Sequence, residues 1–128
     1  MLLLDTHTFV WLASDLSELS GKARKVIAEE RDSLFISGIT GLEIGLAAKR
    51  KRLVLPVDPD AFVQKAMLQH GIRQIAVSAE IGCQAALLPD IHNDPFDRII
   101  IATAVRHGMQ LISKDRTIPQ YPDLEVIW

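Results

Sequence analysis

Four carboxylates stand out by where they fall against the hydrophobic runs. Asp5 ends the apolar run Leu2–Leu4, and Asp115 follows closely after Leu111 and Ile112. Glu43 and Asp97 each sit just inside the start of a predicted helix. Acids that converge from distant parts of a chain repel one another unless a cation joins them, and an oxygen-only donor set suits Mg²⁺ or Mn²⁺. Metal-dependent phosphodiester chemistry is the leading reading. Two ions about 3.5–4 Å apart, or one ion with an ordered water, activate the water and stabilise charge on the phosphate and departing oxygens.

Convergence depends on the elements that carry the acids. Leu2–Leu4 is short and wholly apolar, as a central parallel strand is. A short helix is expected over Phe9–Leu12, and Ser20 N-caps a helix from Lys22 to Glu30. Leu34–Ser37 reads as a second strand, followed by a helix beginning near Thr40 and ending in the cluster Lys49-Arg50-Lys51-Arg52. Asp58-Pro59 opens a helix that Gly71 closes. Arg73–Val77 is a third strand, and Ser78 caps a helix over Ala79–Leu88. Asp94-Pro95 repeats the cap-plus-proline signal for a helix running to His107. Strands four and five fall at Gln110–Ser113 and Leu124–Ile127. Alternating strands and helices predict an α/β domain with a central, mostly parallel five-stranded sheet and helices on both faces. Ligands of such sheets bind beyond the carboxyl ends of the strands, and all four acids belong to that edge.

Each acid also has a purely structural reading. Asp5 can cap the helix that follows it, and Glu43 can serve as a first-turn acid at a helix dipole. With Asp94 as N-cap, Asp97 lies at N3 and can close a capping box, a role that favours Glu or Gln. Asp115 can shape a turn. The shared edge, which four independent caps do not require, is the argument for chemistry. Arg98, Lys114 and Arg116 flank the acids and can hold phosphates, or can be ordinary solvated charges. Thr6 and Ser113 can orient a carboxylate or a water, or simply bond within turns. His7 and His92 lie near the edge, but an oxygen-rich magnesium site does not need imidazole. The Lys49–Arg52 cluster reads as a solvated helix end, and Cys83 as core. Phe9–Leu12 reads as core or as a groove for a partner helix.

Composition agrees with one domain over residues 1–128. Hydrophobic residues make up 48%, enough to bury a sheet. A net charge of −2 argues against nonspecific coating of nucleic acid, though not against local grip. The one cysteine excludes an intrachain disulfide. The apolar start is interrupted by Asp5 and His7 and has no basic leader, so no signal peptide is expected and the cytoplasm is the default location.

The opening Leu3-Leu4-Asp5-Thr6-His7 resembles that of PIN-domain proteins of the VapC toxin type. So do Ile36-Ser37 leading to Leu42-Glu43-Ile44, His92–Arg98 with Ile99–Ala104, and Leu111–Asp115. The match runs in order along essentially the whole chain, Asp-Pro-Phe-Asp-Arg being its most specific part; Gly41-Leu42 departs from it where an aromatic is common. The resemblance implies a Mg²⁺- or Mn²⁺-dependent endoribonuclease with Asp5, Glu43, Asp97 and Asp115 as its acidic site. It also implies a VapB-like antitoxin that blocks the site, and a homodimer.

Other readings differ at named positions. A haloacid-dehalogenase-type phosphatase wants a second Asp two residues after the first, where this chain has His7. Its only Asp-x-Asp, Asp58-Pro59-Asp60, is explained by capping. A receiver domain wants an acceptor Asp after the third strand, where Ser78-Ala79 stand. A non-catalytic binding module that kept the PIN fold fits the same pattern.

Overall fold

A computed structural model describes residues 1–128. Five strands form one sheet: β1 (Leu2–Leu4), β2 (Leu34–Ser37), β3 (Arg73–Ile75), β4 (Gln110–Ile112) and β5 (Val126–Ile127). Their spatial order is β3-β2-β1-β4-β5, and every pairing is parallel, so the sheet is parallel throughout rather than mostly so. The helices are α1 (Thr6–Ser14), α2 (Gly21–Glu29), α3 (Ile39–Lys49), α4 (Pro59–His70), α5 (Ala79–Leu87) and α6 (Pro95–His107). Two 3₁₀ turns, Leu16–Glu18 and Ile118–Gln120, are additional. No helix is long and apolar enough to cross a membrane.

Successive strand residues point to opposite faces, and β1 divides its leucines accordingly. Leu2 and Leu4 join Phe9, Ala23, Ile44 and Phe62 in the larger core, under α1, α2, α3 and α4. Leu3 joins Ile100, Ile101 and Ala104 of α6 on the other face. A small cluster of Ile81, Ala85 and Ala102 locks α5 onto α6. Cys83, expected in the core, is exposed: it lies on the face of α5 turned away from that cluster.

Local chemistry sets the helix ends. Ser20, Asp58, Ser78 and Asp94 each accept a backbone N–H of the first turn of α2, α4, α5 and α6. Gly71 and Gly108 close α4 and α6 at φ 63° and 62°, a conformation glycine adopts without the Cβ penalty. α1 begins three residues before the expected Phe9, because Asp5 caps it by accepting Thr8 N–H at 2.8 Å. β3, β4 and β5 are each shorter than the stretches predicted for them.

The chain leaves β1 for β2 on one side, and β4 lies against β1 on the other. That reversal opens a crevice at the carboxyl ends of β1 and β4, the strands that carry Asp5 and Asp115.

Candidate active site

Asp5, Glu43, Asp97 and Asp115 line one pocket of about 400 Å³ at the carboxyl edge of the sheet, together with Asp94. Each arrives on a different element. Asp5 spends one carboxylate oxygen on the α1 cap, and its backbone N–H donates to Ile112 O of β4 at 3.2 Å. Glu43 stands in the second turn of α3, not the first, because α3 starts at Ile39; it is therefore no dipole acid. Thr6 Oγ1 donates to Glu43 Oε1 at 2.6 Å and lies 3.3 Å from Thr40 Oγ1, so two buried hydroxyls fix that carboxylate. Asp97 stands in the first turn of α6 but makes no capping-box bond; Asp94 Oδ1 alone caps, accepting Phe96 N–H.

Electrostatics separates these acids. Burial, with the neighbouring charges of Asp94, Glu43 and Asp5, pushes the Asp97 carboxyl up to about 6. Burial also raises Glu43, against the lowering effect of the Thr6 hydrogen bond, and Asp94 raises it further. Asp115 behaves oppositely. Burial works against its charge, but hydrogen bonds from His92, the Thr117 hydroxyl and Thr117 N–H outweigh it and hold its carboxyl at about 2.

His92, placed near the edge from the sequence but set aside because an oxygen-rich site does not need imidazole, belongs to the site. Its Nε2 lies 2.9 Å from Asp115 Oδ2 and 2.8 Å from Thr117 Oγ1, and its ring stacks on Tyr121 with centroids 5.7 Å apart. Potential ligand atoms of His92, Asp97 and Asp115 all lie within 4.8 Å of one another. Asp94 is the second omission: read only as a cap, it also faces the pocket and raises both Asp97 and Glu43.

The expected phosphate and water contacts divide. Lys114 lines the acid pocket, and Lys114 and Arg116 line an adjoining one. Arg98 does not face a substrate. Its guanidinium donates to five backbone carbonyls, those of Ala85, Ala86, Leu88, Pro89 and His92, at 2.7–3.3 Å. These carbonyls lie at the end of α5 and in the following loop, so Arg98 is a staple rather than an anion site. Ser113 is buried, and its Oγ accepts Asp115 N–H at 3.2 Å; it shapes the loop at the edge of that adjoining pocket. Among the acidic-site neighbours, Arg50 and Arg52 from the basic cluster line a second groove, of about 540 Å³, which shares His7, Trp11, Glu43 and Asp94 with the acid pocket.

The donor set fits a divalent cation. Five carboxylates share one pocket, and the cation next to Asp97 in sequence is committed to carbonyls. A hard cation supplies the missing countercharge through oxygen ligands.

Comparison with known proteins agrees with this geometry. The PIN domain family model matches residues 2–124. The chain is 30% identical to ribonuclease VapC22 of Mycobacterium tuberculosis (strain ATCC 25618 / H37Rv), over 98% of this chain and 97% of that protein. In fold it is similar to VapBC2 of Rickettsia felis, solved bound to a promoter DNA fragment, with a TM-score of 0.71 and 14% identity over 98% of this chain and 96% of that one. It is also similar to M. tuberculosis VapC20, a toxin that cleaves the sarcin-ricin loop, with a TM-score of 0.63 and 18% identity over 98% and 99%. A fold, a five-carboxylate crevice and a full-length relative thus converge, and the chain belongs to the PIN-domain family of VapC ribonucleases.

Proposed function

We propose that this protein is the toxin of a type II toxin–antitoxin pair, an endoribonuclease that hydrolyses RNA phosphodiester bonds with Mg²⁺ or Mn²⁺. The observation that carries the reading is the single pocket shared by Asp5, Glu43, Asp97 and Asp115, where burial and the neighbouring acids push the Asp97 carboxyl up to about 6. Asp5 and Asp97 would hold the principal ion, with Glu43 completing its surroundings or orienting the attacking water. Asp115 would serve a second ion or a water. The bound ion supplies charge neutralisation at the phosphate and a more acidic water.

The chain's own groups do the rest. Thr6 keeps Glu43 in one orientation, and the Thr6–Thr40 pair keeps that hydroxyl in place. His92 and Thr117 keep Asp115 ionised and fixed. Hydrolysis adds the water oxygen to phosphorus, breaks one P–O ester bond and leaves the departing oxygen protonated. Lys114, exposed at the pocket wall, meets the phosphate charge.

The cognate partner is a VapB-like antitoxin. The groove lined by Val10, Trp11, Leu46, Leu53, Arg50 and Arg52 adjoins the acids, so a segment lying in it would block them. A homodimer is part of the same proposal. The test is expression of the wild-type chain and of Asp97→Asn, with sequencing of new RNA ends and purified cleavage assays with Mg²⁺, Mn²⁺ or EDTA. Metal-dependent ends that vanish in the variant are expected. Full metal-dependent cleavage retained by both purified Asp5→Asn and Asp97→Asn would reject the assignment.

A further inference from the structure

Beside the acid pocket lies a second depression, about 340 Å³ in volume, with different chemistry. Lys22 of α2, Lys114 and Arg116 reach it, and Trp128 forms part of its wall. None of the three cations is in an ion pair; the chain's ion pairs are Met1–Glu30, Lys25–Glu29 and His92–Asp115. Lys114 and Asp115 line both pockets, so the two adjoin. In a chain of net charge −2, three unneutralised cations next to a carboxylate cluster call for a polyanion that passes from one to the other.

The aromatic residues add a direction. Trp11 and Trp128 meet with ring centroids 5.9 Å apart at an interplanar angle of 55°, so they do not cover each other face to face. Trp11 is already occupied: Lys114 Nζ lies over its ring at 5.7 Å, and His7 packs against it at 5.5 Å. Trp128 carries no such cation or second ring. It is half-buried, braced by Trp11 and the core, and turned to the basic depression.

We propose that Trp128, braced by Trp11 and flanked by Lys22, Lys114 and Arg116, is a stacking platform for an unpaired RNA base next to the scissile phosphodiester. The inference rests on the ribonuclease reading above and names the part of the substrate the site grips. A base can stack on an indole only when its own face is free, which selects single-stranded or looped RNA over duplex. Lys22 and Arg116 then meet the phosphates on either side of that base. Trp128 is a specificity-determining residue here, not a catalytic one.

The test uses the full chain. In the Asp97→Asn background with Mg²⁺, binding of a single-stranded RNA oligonucleotide is followed by tryptophan fluorescence quenching and compared with the same sequence as a duplex. Trp128→Leu is expected to weaken single-strand binding about tenfold and to remove most of the quenching, with Trp128→Phe restoring most of the affinity. Lys22→Glu, a change on an exposed helix face, is expected to weaken binding and flatten its salt dependence. In the otherwise wild-type chain the Trp128→Leu effect falls on KM rather than kcat. Cleavage by the parent with an unaltered KM in both Trp128→Leu and Lys22→Glu would overturn the platform alone. So would duplex binding and quenching as strong as for the single strand. Should Trp128→Leu fail to fold, Lys22→Glu and the single-strand-against-duplex comparison in the parent carry the test. Absence of any metal-dependent RNA cleavage by the parent would overturn the ribonuclease reading and the platform together.

Discussion

The acid pocket has two walls with opposite electrostatics. On the α6 wall, burial and the facing charges of Asp94 and Glu43 push Asp97 up to about 6. On the wall after β4, Asp115 accepts from His92 and Thr117 and falls to about 2. The same residue type, a few ångströms away, is destabilised on one wall and satisfied on the other. The demand for a cation therefore originates at Asp97 and Glu43, whereas Asp115 is already held in its charged form by protein groups. Arg98 sharpens the contrast. It follows Asp97 directly, yet its charge is committed to five carbonyls, so it leaves Asp97 without a partner.

The largest expected effect tests the unsatisfied wall. Asp97→Asn should lower RNA cleavage about a thousandfold, because it removes an ion ligand worth several kcal/mol of transition-state stabilisation. The same variant should be more stable than the wild type without metal at neutral pH, and should gain less thermal stability from Mn²⁺. Melting curves with and without Mn²⁺ read both. A variant less stable than the wild type in EDTA would contradict the assigned strain.

Arg98→Ala should come next. Five charge-assisted bonds go, and several partly buried carbonyls lose their donor, at a cost of about 3 kcal/mol. Denaturant unfolding measures the loss, and hydrogen exchange should place it at the end of α5 and in the loop before α6. Cleavage per folded molecule should survive, since Arg98 faces no substrate.

A pH series compares the walls in one experiment. Asp97 holds its proton more tightly in the folded chain, where its pKa is about 6, than in the unfolded chain, near 3.8. Metal-free stability is therefore highest below pH 3.8 on this account and falls as pH rises through 6, by on the order of 1–2 kcal/mol once solvent screening at the pocket mouth is allowed for. Asp115 has the reverse sign: its contribution is present above pH 3.8 and is lost as pH falls through about 2. Asp97→Asn should flatten the upper limb of the stability profile and leave the lower limb intact. An unchanged upper limb would remove Asp97 as its source.

The smallest effect belongs to the satisfied wall. His92→Ala should reduce cleavage about tenfold, by freeing Asp115 to move, with its pKa returning toward the ordinary range. A loss as large as that of Asp97→Asn would show that His92 is itself an ion ligand, a possibility its place within 4.8 Å of Asp97 and Asp115 makes measurable through Mn²⁺ affinity.

Local signals in the sequence read well, and long-range ones did not. Caps at Ser20, Asp58, Ser78 and Asp94, the two helix-closing glycines, and the apolar runs of β1 and β2 are properties of a few adjacent residues. The edge shared by the acids follows from parallel topology, which the strand–helix alternation implied. The partners of Arg98 are carbonyls 6 to 13 positions away, placed by how α5 packs on α6, and no motif encodes that. His92 meets Asp115 across 23 positions, through a loop whose course the sequence pattern does not specify. Asp94 hid behind its own cap signal, and Cys83 behind the apolar look of its helix, which buries only Ile81 and Ala85.

Asp5 carries a consequence of its own. One of its oxygens begins the first helix while the carboxylate as a whole faces the crevice. A chain that discards this residue for Ala disarms itself and loosens its own scaffold in one step, whereas Asn keeps the helix start and surrenders only the charge. Spontaneous inactive variants at this position should therefore divide into two kinds, those that disappear from the cell by misfolding and those that persist, folded and harmless.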